Sequence, residues 1–269
     1  MITAKMVSEL REKSGAGMMD CKRALDAANG DMALAMENLR KSGIAKAEKK
    51  AGRSTNQGKV WTKIANGKAA IIELLCETDF AAKTPKFGQL VDTVLDAALE
   101  QSGEGDIAAA LNTQVAPVLT SHIATIGENM QLRRAAKWNA SATSKFHGYH
   151  HMDGRVSVLV EVEGDCTAEV MNDICLHVAA FNPRYNTPAD VPAEVVAKEK
   201  EIAAAADPKL ANKPAEMLEK ILAGKINRFY SEVCLSNQPW VKDDKSTFAK
   251  LYPQLKVKRF ARWEVGEEL

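Results

Sequence analysis

The apolar positions of this 269-residue chain follow one spacing near its start and another further on. Between residues 3 and 43 they recur every three or four places. Thr3 can cap a helix with Met6, Val7 and Leu10 on one face, and Gly15 and Gly17 break it. Met18 to Ala28 makes a second helix, stopped by Asn29-Gly30, and Asp31 caps a third through Met32, Leu34, Ala35 and Leu39 to Gly43. A three-helix bundle of about 40 residues buries little by itself, which makes it a docking unit steadied by its neighbours or by a partner.

From Val60 the spacing shortens. Val60 to Ile64 and Ala69 to Cys76 flank Asn66-Gly67, the dipeptide of a tight hairpin turn. The second run is apolar except for Glu73. It ends in polar Glu77-Thr78-Asp79 and then Phe80, the order expected of a buried strand that delivers a protruding loop. Thr84-Pro85 opens a helix with Phe87, Leu90, Val91, Val94, Leu95 and Ala98 on its inner face. A further helical stretch carries Val115, Val118, Leu119 and Ile123, and Met130 to Trp138 alternates as a strand.

The second half repeats this unit. Gly154 to Val162 parallels Gly67 to Leu75, and Met171, Ile174, Cys175, Val178 and Ala179 parallel the helix from Phe87 to Ala98. The repeated strand leaves through Glu163-Gly164-Asp165-Cys166, which has no aromatic residue. Ala193 to Ala206 and Pro214 to Ala223, rich in Ala, Glu and Lys and separated by Asp207-Pro208, read as a helical hairpin. The chain returns through Ile226 to Leu235, the loop Ser236 to Trp240, a short helix near Thr247 to Leu251, and a strand from Val257 to Val265.

Together these elements predict an α+β protein with antiparallel sheets and a duplicated core. The expected parts are a three-helix module over 1–52, one core half over 53–140, a second over 141–182 and 226–269, and the inserted hairpin over 183–225. Residues 42–59, charged and then rich in Gly, Ser and Asn, read as the linker after the module.

Composition narrows the chemistry. A net charge of +1 gives no basic excess for a polyanion, so direct nucleic-acid binding is not expected. There is no apolar signal core after Met1 and no run of roughly 20 apolar residues, which points to a cytoplasmic protein without a membrane. Five widely spaced cysteines with no C-x-x-C pair read as reduced packing residues. His147-Gly148-Tyr149-His150-His151, near Asp153, is the densest set of metal-ligand types. Imidazoles without matched third and fourth ligands are usually solvated, so no metal is expected. No phosphate-binding glycine motif or nucleophile elbow occurs, so neither a nucleotide pocket nor a cofactor is expected.

Three places carry alternative readings. Phe80 is either a staple folded back on its own helix or a side chain presented to a partner; the missing counterpart at the second strand exit favours the partner. Met18 and Met19, adjacent on a helix, point in different directions and are not expected to be buried together: one of them faces a partner, or it fills a gap in the core. Glu77 and Asp79 form a nominal acid–base pair, for which capping of the next turn by Thr78 or Asp79 is the simpler explanation.

The segments Gly15-Ala16-Gly17-Met18-Met19-Asp20-Cys21-Lys22, Ala28-Asn29-Gly30-Asp31, Leu39 to Gly43, Cys76 to Phe80, Ile126 to Asn129, His177 to Ala180 and Gln238-Pro239 closely resemble, in this order, the bacterial elongation factor Ts family. The resemblance implies a UBA-like N-terminal module and a nonenzymatic guanine-nucleotide exchange factor for the GTPase elongation factor Tu. It implies that Thr78, Asp79, Phe80 and Ala81 form the loop that dislodges the partner's Mg²⁺, with Ala81 standing where the family has Val. Ile126, Gly127, Glu128 and Asn129 would support that contact, Met18, Met19 and Lys22 would touch another part of the GTPase, and His151 a more distant surface. The hairpin resembles an insertion used by some members for self-association, against which stands a simple solvated arm. Some members continue beyond the equivalent of Gly266 to Leu269 into a further helix. The expectation is therefore that binding rests on the module and the core loops, and that removing residues 1–52 abolishes complex formation while leaving the core folded. The alternative to exchange is a translation-associated binding module that uses only the N-terminal bundle.

Overall fold

The computed structural model describes residues 2–206 and 214–269, so the Asp207-Pro208 break expected within the hairpin lies outside the described residues. The chain divides into two compact units. One comprises Met1–Asn139, His150–Ser157 and Trp263–Leu269, the other Ala140–Tyr149 and Val158–Arg262.

The first unit opens with helices α1 (Ala4–Ser14), α2 (Met18–Ala27) and α3 (Met32–Glu48). The Thr3 hydroxyl accepts from Met6 N, Asp31 accepts from Ala33 N and Leu34 N, and Gly15 closes α1 at φ 65°. Val7, Leu10, Cys21, Leu25 and Ala35 form the small core. The third helix does not stop at Gly43. It runs on to Glu48, and the linker expected over 42–59 shrinks to the stretch between that helix and the first strand, β1 (Gln57–Ala65). Gly43 acts as a packing residue: a Cβ there would lie 3.3 Å from the Ala124 side chain of the later helix α6 (Ala108–Ile126), and Ala47 packs against the core of the first sheet. The bundle and the first core half therefore share apolar surface, and the linker does not isolate them as expected.

β1 turns through Asn66 (φ 51°) and Gly67 (φ 71°) into β2 (Lys68–Cys76), the mirror-image turn that suits the twist of a hairpin. With β3 (Gly105–Asp106) and β4 (Met130–Asn139) they form an antiparallel sheet in the order β1-β2-β4-β3. β2 is central, which is why its sequence is a near-continuous apolar run. Ala70, Ile72, Leu74 and Cys76 share a core with α6 and with α5 (Pro85–Glu100), whose first turn the Thr84 hydroxyl caps by accepting from Phe87 N.

The opposite face of β2 carries Glu73, fully buried. Between Glu73 and Leu74 the register with β4 shifts, so Arg133 is an extra residue and both Arg133 and Arg134 reach the same carboxylate. Arg134 Nε donates at 2.5 Å, Arg133 Nη1 at 3.3 Å and the Gly266 amide at 2.8 Å, while Arg134 also pairs with Glu267 at 2.8 Å. The bulge therefore supplies the partners that a buried charge requires.

In the second unit, β5 (Ser144–His151), β6 (Val156–Glu163) and β9 (Lys256–Glu264) form a three-stranded sheet in the order β5-β6-β9, with a few residues at the strand ends counted in the first unit. β5 was not expected from its sequence. β6 is again central and again carries a buried carboxylate: Glu161 accepts from Ser144 Oγ and from Arg259 Nε, each at 2.6 Å. Helix α7 (Ala168–Phe181) packs Met171, Ile174, Cys175 and Val178 against Val158, Val160 and Val162. His177 is buried between Phe181 and Trp240, its Nε2 3.0 Å from Gln238 Oε1, and burial pushes its pKa down.

The hairpin consists of α8 (Ala193–Ala205) and α9 (Ala215–Val233). The segment from Ile226, expected as a separate return to the core, is the continuation of α9, whose Val233 joins Val191 and Cys234 in a cluster at the base of the arm. A two-stranded ribbon, β7 (Pro239–Trp240) and β8 (Asp243–Thr247), and the short α10 (Phe248–Leu251) lead into β9. Phe260, out of phase with the expected alternation of that strand, packs on the second core. Among the described residues no helix is long and apolar enough to cross a membrane.

Candidate partner-binding site

At the end of β2 the chain does not enter α5 directly. Thr78 is extended, and its hydroxyl accepts from Ala81 N at 3.2 Å, starting a single turn of helix, α4 (Asp79–Ala82). One turn can bury only part of its circumference. Ala81 and Ala82 face the core, and Phe80 is left 80% exposed. The staple reading is thereby overturned. Asp79 faces outward and pairs with Lys83 at 2.7 Å, and this hydrogen bond holds its carboxyl below the usual range. Glu77 and Asp79 have different partners and form no acid–base pair; Thr78 is the cap. The Cys76 thiol is pushed up to about 12 by burial and contacts Thr78 O, which leaves it a packing residue.

The turn is braced from below. The Glu128 carboxylate accepts from Glu77 N at 3.1 Å, Thr78 N at 2.9 Å and Thr78 Oγ1 at 2.6 Å. Its neighbour Asn129 donates its amide to Glu77 Oε1 at 2.6 Å and its side-chain nitrogen to Arg53 O at 2.9 Å and Ala51 O at 3.3 Å. Lys50 Nζ donates to Gly127 O at 2.5 Å, and its pKa is lowered, by burial first and then by Arg53. Gly127 can offer that carbonyl because it closes α6 in the left-handed region, at φ 92°. Ile126, half-buried, packs on the first core. Lys50 and Arg53, read from sequence as part of the linker after the module, are thus structural anchors. Their partners lie far along the chain, so no local spacing announces them.

The module contributes a second exposed apolar group. Met18 and Met19, at the first turn of α2, are 51% and 65% exposed, so both face outward where one was expected to. Lys22 is exposed on the same helix. The Gly15–Gly17 loop just before them lines one cleft with Lys86 and Thr125, and Lys86 Nζ donates to Gly15 O at 3.4 Å. This connects the start of α2 to the start of α5 and the end of α6. His151 is not part of that cleft; it is exposed at the end of β5, beside the turn in which Met152 and Asp153 take positive φ.

The histidine cluster separates. His150 stacks on Trp61 at 3.9 Å with its Nδ1 3.0 Å from Ser157 Oγ, and burial, with a smaller contribution from Lys59, pushes its pKa down to about 4. Among the described residues no group of three His, Cys, Asp or Glu side chains is placed to hold a metal ion.

Exposed apolar side chains on rigid supports are the material of a surface that grips another protein. Known proteins narrow this class. A family model described as elongation factor TS matches residues 77–267. The chain is 42% identical to elongation factor Ts of Thioalkalivibrio sulfidiphilus, over 99% of its own length and 92% of the relative's. It is 40% identical to that of Bdellovibrio bacteriovorus (98% and 92% covered) and 36% identical to that of Protochlamydia amoebophila (99% of each). The chain belongs to the elongation factor Ts family.

Proposed function

We propose that this protein is a cytoplasmic guanine-nucleotide exchange factor for elongation factor Tu and that its α4 turn is the element that drives nucleotide release. The observation that carries this reading is Phe80: a large aromatic held out in solvent on a turn seated by Ala81 and Ala82 and braced by Glu128. Inserted into the nucleotide-free GTPase, about 150 to 250 Å² of aromatic surface at about 25 cal/mol per Å² stabilises the complex by roughly 4 to 6 kcal/mol gross. After ordering costs this permits on the order of a hundredfold to a thousandfold effect. By linkage, what the protein gains in affinity for the empty GTPase, GDP and Mg²⁺ lose.

The orientation of the turn divides the labour within Thr78–Ala81. Asp79 and Phe80 face the partner, with the Asp79 charge directed at the region that holds Mg²⁺, while Thr78 and Ala81 seat the turn. In this reading the module over 1–52 docks through Met18, Met19 and Lys22, Ile126 and Gly127 flank the inserted ring, and His151 meets a separate surface. The α8–α9 arm is the candidate for self-association, with Ile202 and Met217 exposed on it. In this reading the protein uses no nucleic acid, membrane, metal or cofactor of its own; the Mg²⁺ and the nucleotide belong to the partner. The test is release of fluorescent GDP from elongation factor Tu. Acceleration is expected; its absence at saturating protein would leave a binding module without exchange activity.

A further inference from the structure

We infer that Glu128 is a positioning residue that acts on the partner only through Phe80, by locking the α4 turn before the complex forms. This rests on the exchange reading above but assigns Glu128 a different role from the one that the family resemblance implies. Its carboxylate is committed within the chain to the amides of Glu77 and Thr78 and to the Thr78 hydroxyl. A carboxylate already accepting three bonds from one short segment has little left to offer another protein. What it does offer is order. The two amides are those of the last residues before α4, where the strand ladder has ended and the helix has not begun, and the hydroxyl belongs to the residue that caps α4. Without Glu128 these three donors lose their acceptor together. Asn129 extends the lock on the other side, through Glu77, to residues 51 and 53.

A turn held in its bound shape costs less to order on binding, so the clamp adds to exchange without touching the GTPase. Glu128→Gln is the sharpest perturbation. It keeps the size and removes the charge: the one carbonyl oxygen left can serve the two amides only without charge assistance, and the amide nitrogen then takes the place of the oxygen to which the Thr78 hydroxyl donates. Charge-assisted bonds of this kind are strong enough for their loss to lower exchange roughly tenfold. Glu128 is only half-buried at the surface, so the variant folds, and its melting temperature is the control.

The experiment is a double-mutant cycle on GDP release with Glu128→Gln, Phe80→Ala and the double variant, alongside Thr78→Ser and Thr78→Val. Expected are a roughly tenfold loss for Glu128→Gln, no further loss when it is added to Phe80→Ala, near-normal exchange for Thr78→Ser, and a loss for Thr78→Val. An equal loss from Glu128→Gln with and without Phe80 would overturn the inference, since Glu128 would then act on the partner directly; unchanged exchange in Glu128→Gln would overturn it too. If Phe80→Ala alone leaves exchange intact, the reading of α4 fails instead, and hydrogen exchange decides the clamp in the free protein. Faster exchange of the Glu77 and Thr78 amides in Glu128→Gln would uphold the locking role, and unchanged protection would remove it.

Discussion

The two sheets hand their central strands to their helices in different ways. From β6 the chain passes through Gly164, Asp165 and Cys166 and is already at Thr167, the cap of α7. From β2 it takes Glu77 to Lys83, a stretch with its own capped turn, before Thr84 caps α5. Both junctions do the structural work of starting a helix with a threonine hydroxyl. Only the longer one has length left over, and that surplus holds Phe80 in solvent while Ala81 and Ala82 close the core beneath it. Residues that a fold does not require for its own packing are the ones free to face a partner. The shared parts, a central strand with one buried glutamate and arginine beside it, are scaffold.

The comparison breaks first at the shared glutamates. Glu73→Ala leaves Arg133 and Arg134 facing an empty site and should lower stability by about 3 to 5 kcal/mol, measured by urea unfolding. Glu161→Ala should do the same to the second sheet. If only one of the two variants is destabilised, the glutamates are not equivalent scaffold. Next comes the exposed ring: Phe80→Ala should keep the melting temperature and lower GDP release on the order of a hundredfold. A lowered melting temperature with unchanged exchange would make Phe80 a packing residue after all.

Acid sharpens the comparison at smaller cost. The pKa of His150, about 4 in the fold, lies below its value of about 6.5 in an unfolded chain, so between these values the unfolded state binds the extra proton. Its contribution to stability is present above pH ~6.5 and is lost as pH falls toward 4. His177 in the second unit is shifted in the same direction. Melting temperature should therefore fall across this window, and less steeply in His150→Gln; an identical slope would assign the acid sensitivity elsewhere. The smallest effect is expected at the junction that lacks the surplus. Asp165→Ala, on a fully exposed side chain, should leave both the melting temperature and GDP release unchanged.

Much of this architecture is legible in local sequence because local physics determines it. Asn66-Gly67 announces the β1–β2 hairpin, Thr84-Pro85 the start of α5, and the missing aromatic after β6 the exposure of Phe80. What escaped reading depends on residues distant in the chain. Gly43 looks like the end of a helix until Ala124 is set against it. β5, with Lys145, His147 and His150 among its residues, shows no apolar alternation, and only its place beside β6 identifies it as a strand. The bulge that turns both Arg133 and Arg134 toward Glu73 is a matter of register, which composition does not encode. Within the site, Phe80 and one of the two adjacent methionines could be picked out as exposed chemistry; that both Met18 and Met19 face outward could not. The bracing of α4 by Glu128, Asn129 and Arg53 could not, since every bond in it joins separate stretches of chain.

The strand order also sets when each sheet can exist during synthesis. All four strands of the first sheet lie before residue 140, so its pairing can be complete while the hairpin arm is still unmade. The second sheet waits for β9, near the far end of the chain, and must then close a loop that contains α7, the arm and the ribbon. Contacts of such long range form slowly and late. A nascent chain thus presents the finished α4 turn before the half-built second sheet has found its last strand, and in that interval the uncovered edge of β6 is the part of the molecule most in need of protection from wrong pairing.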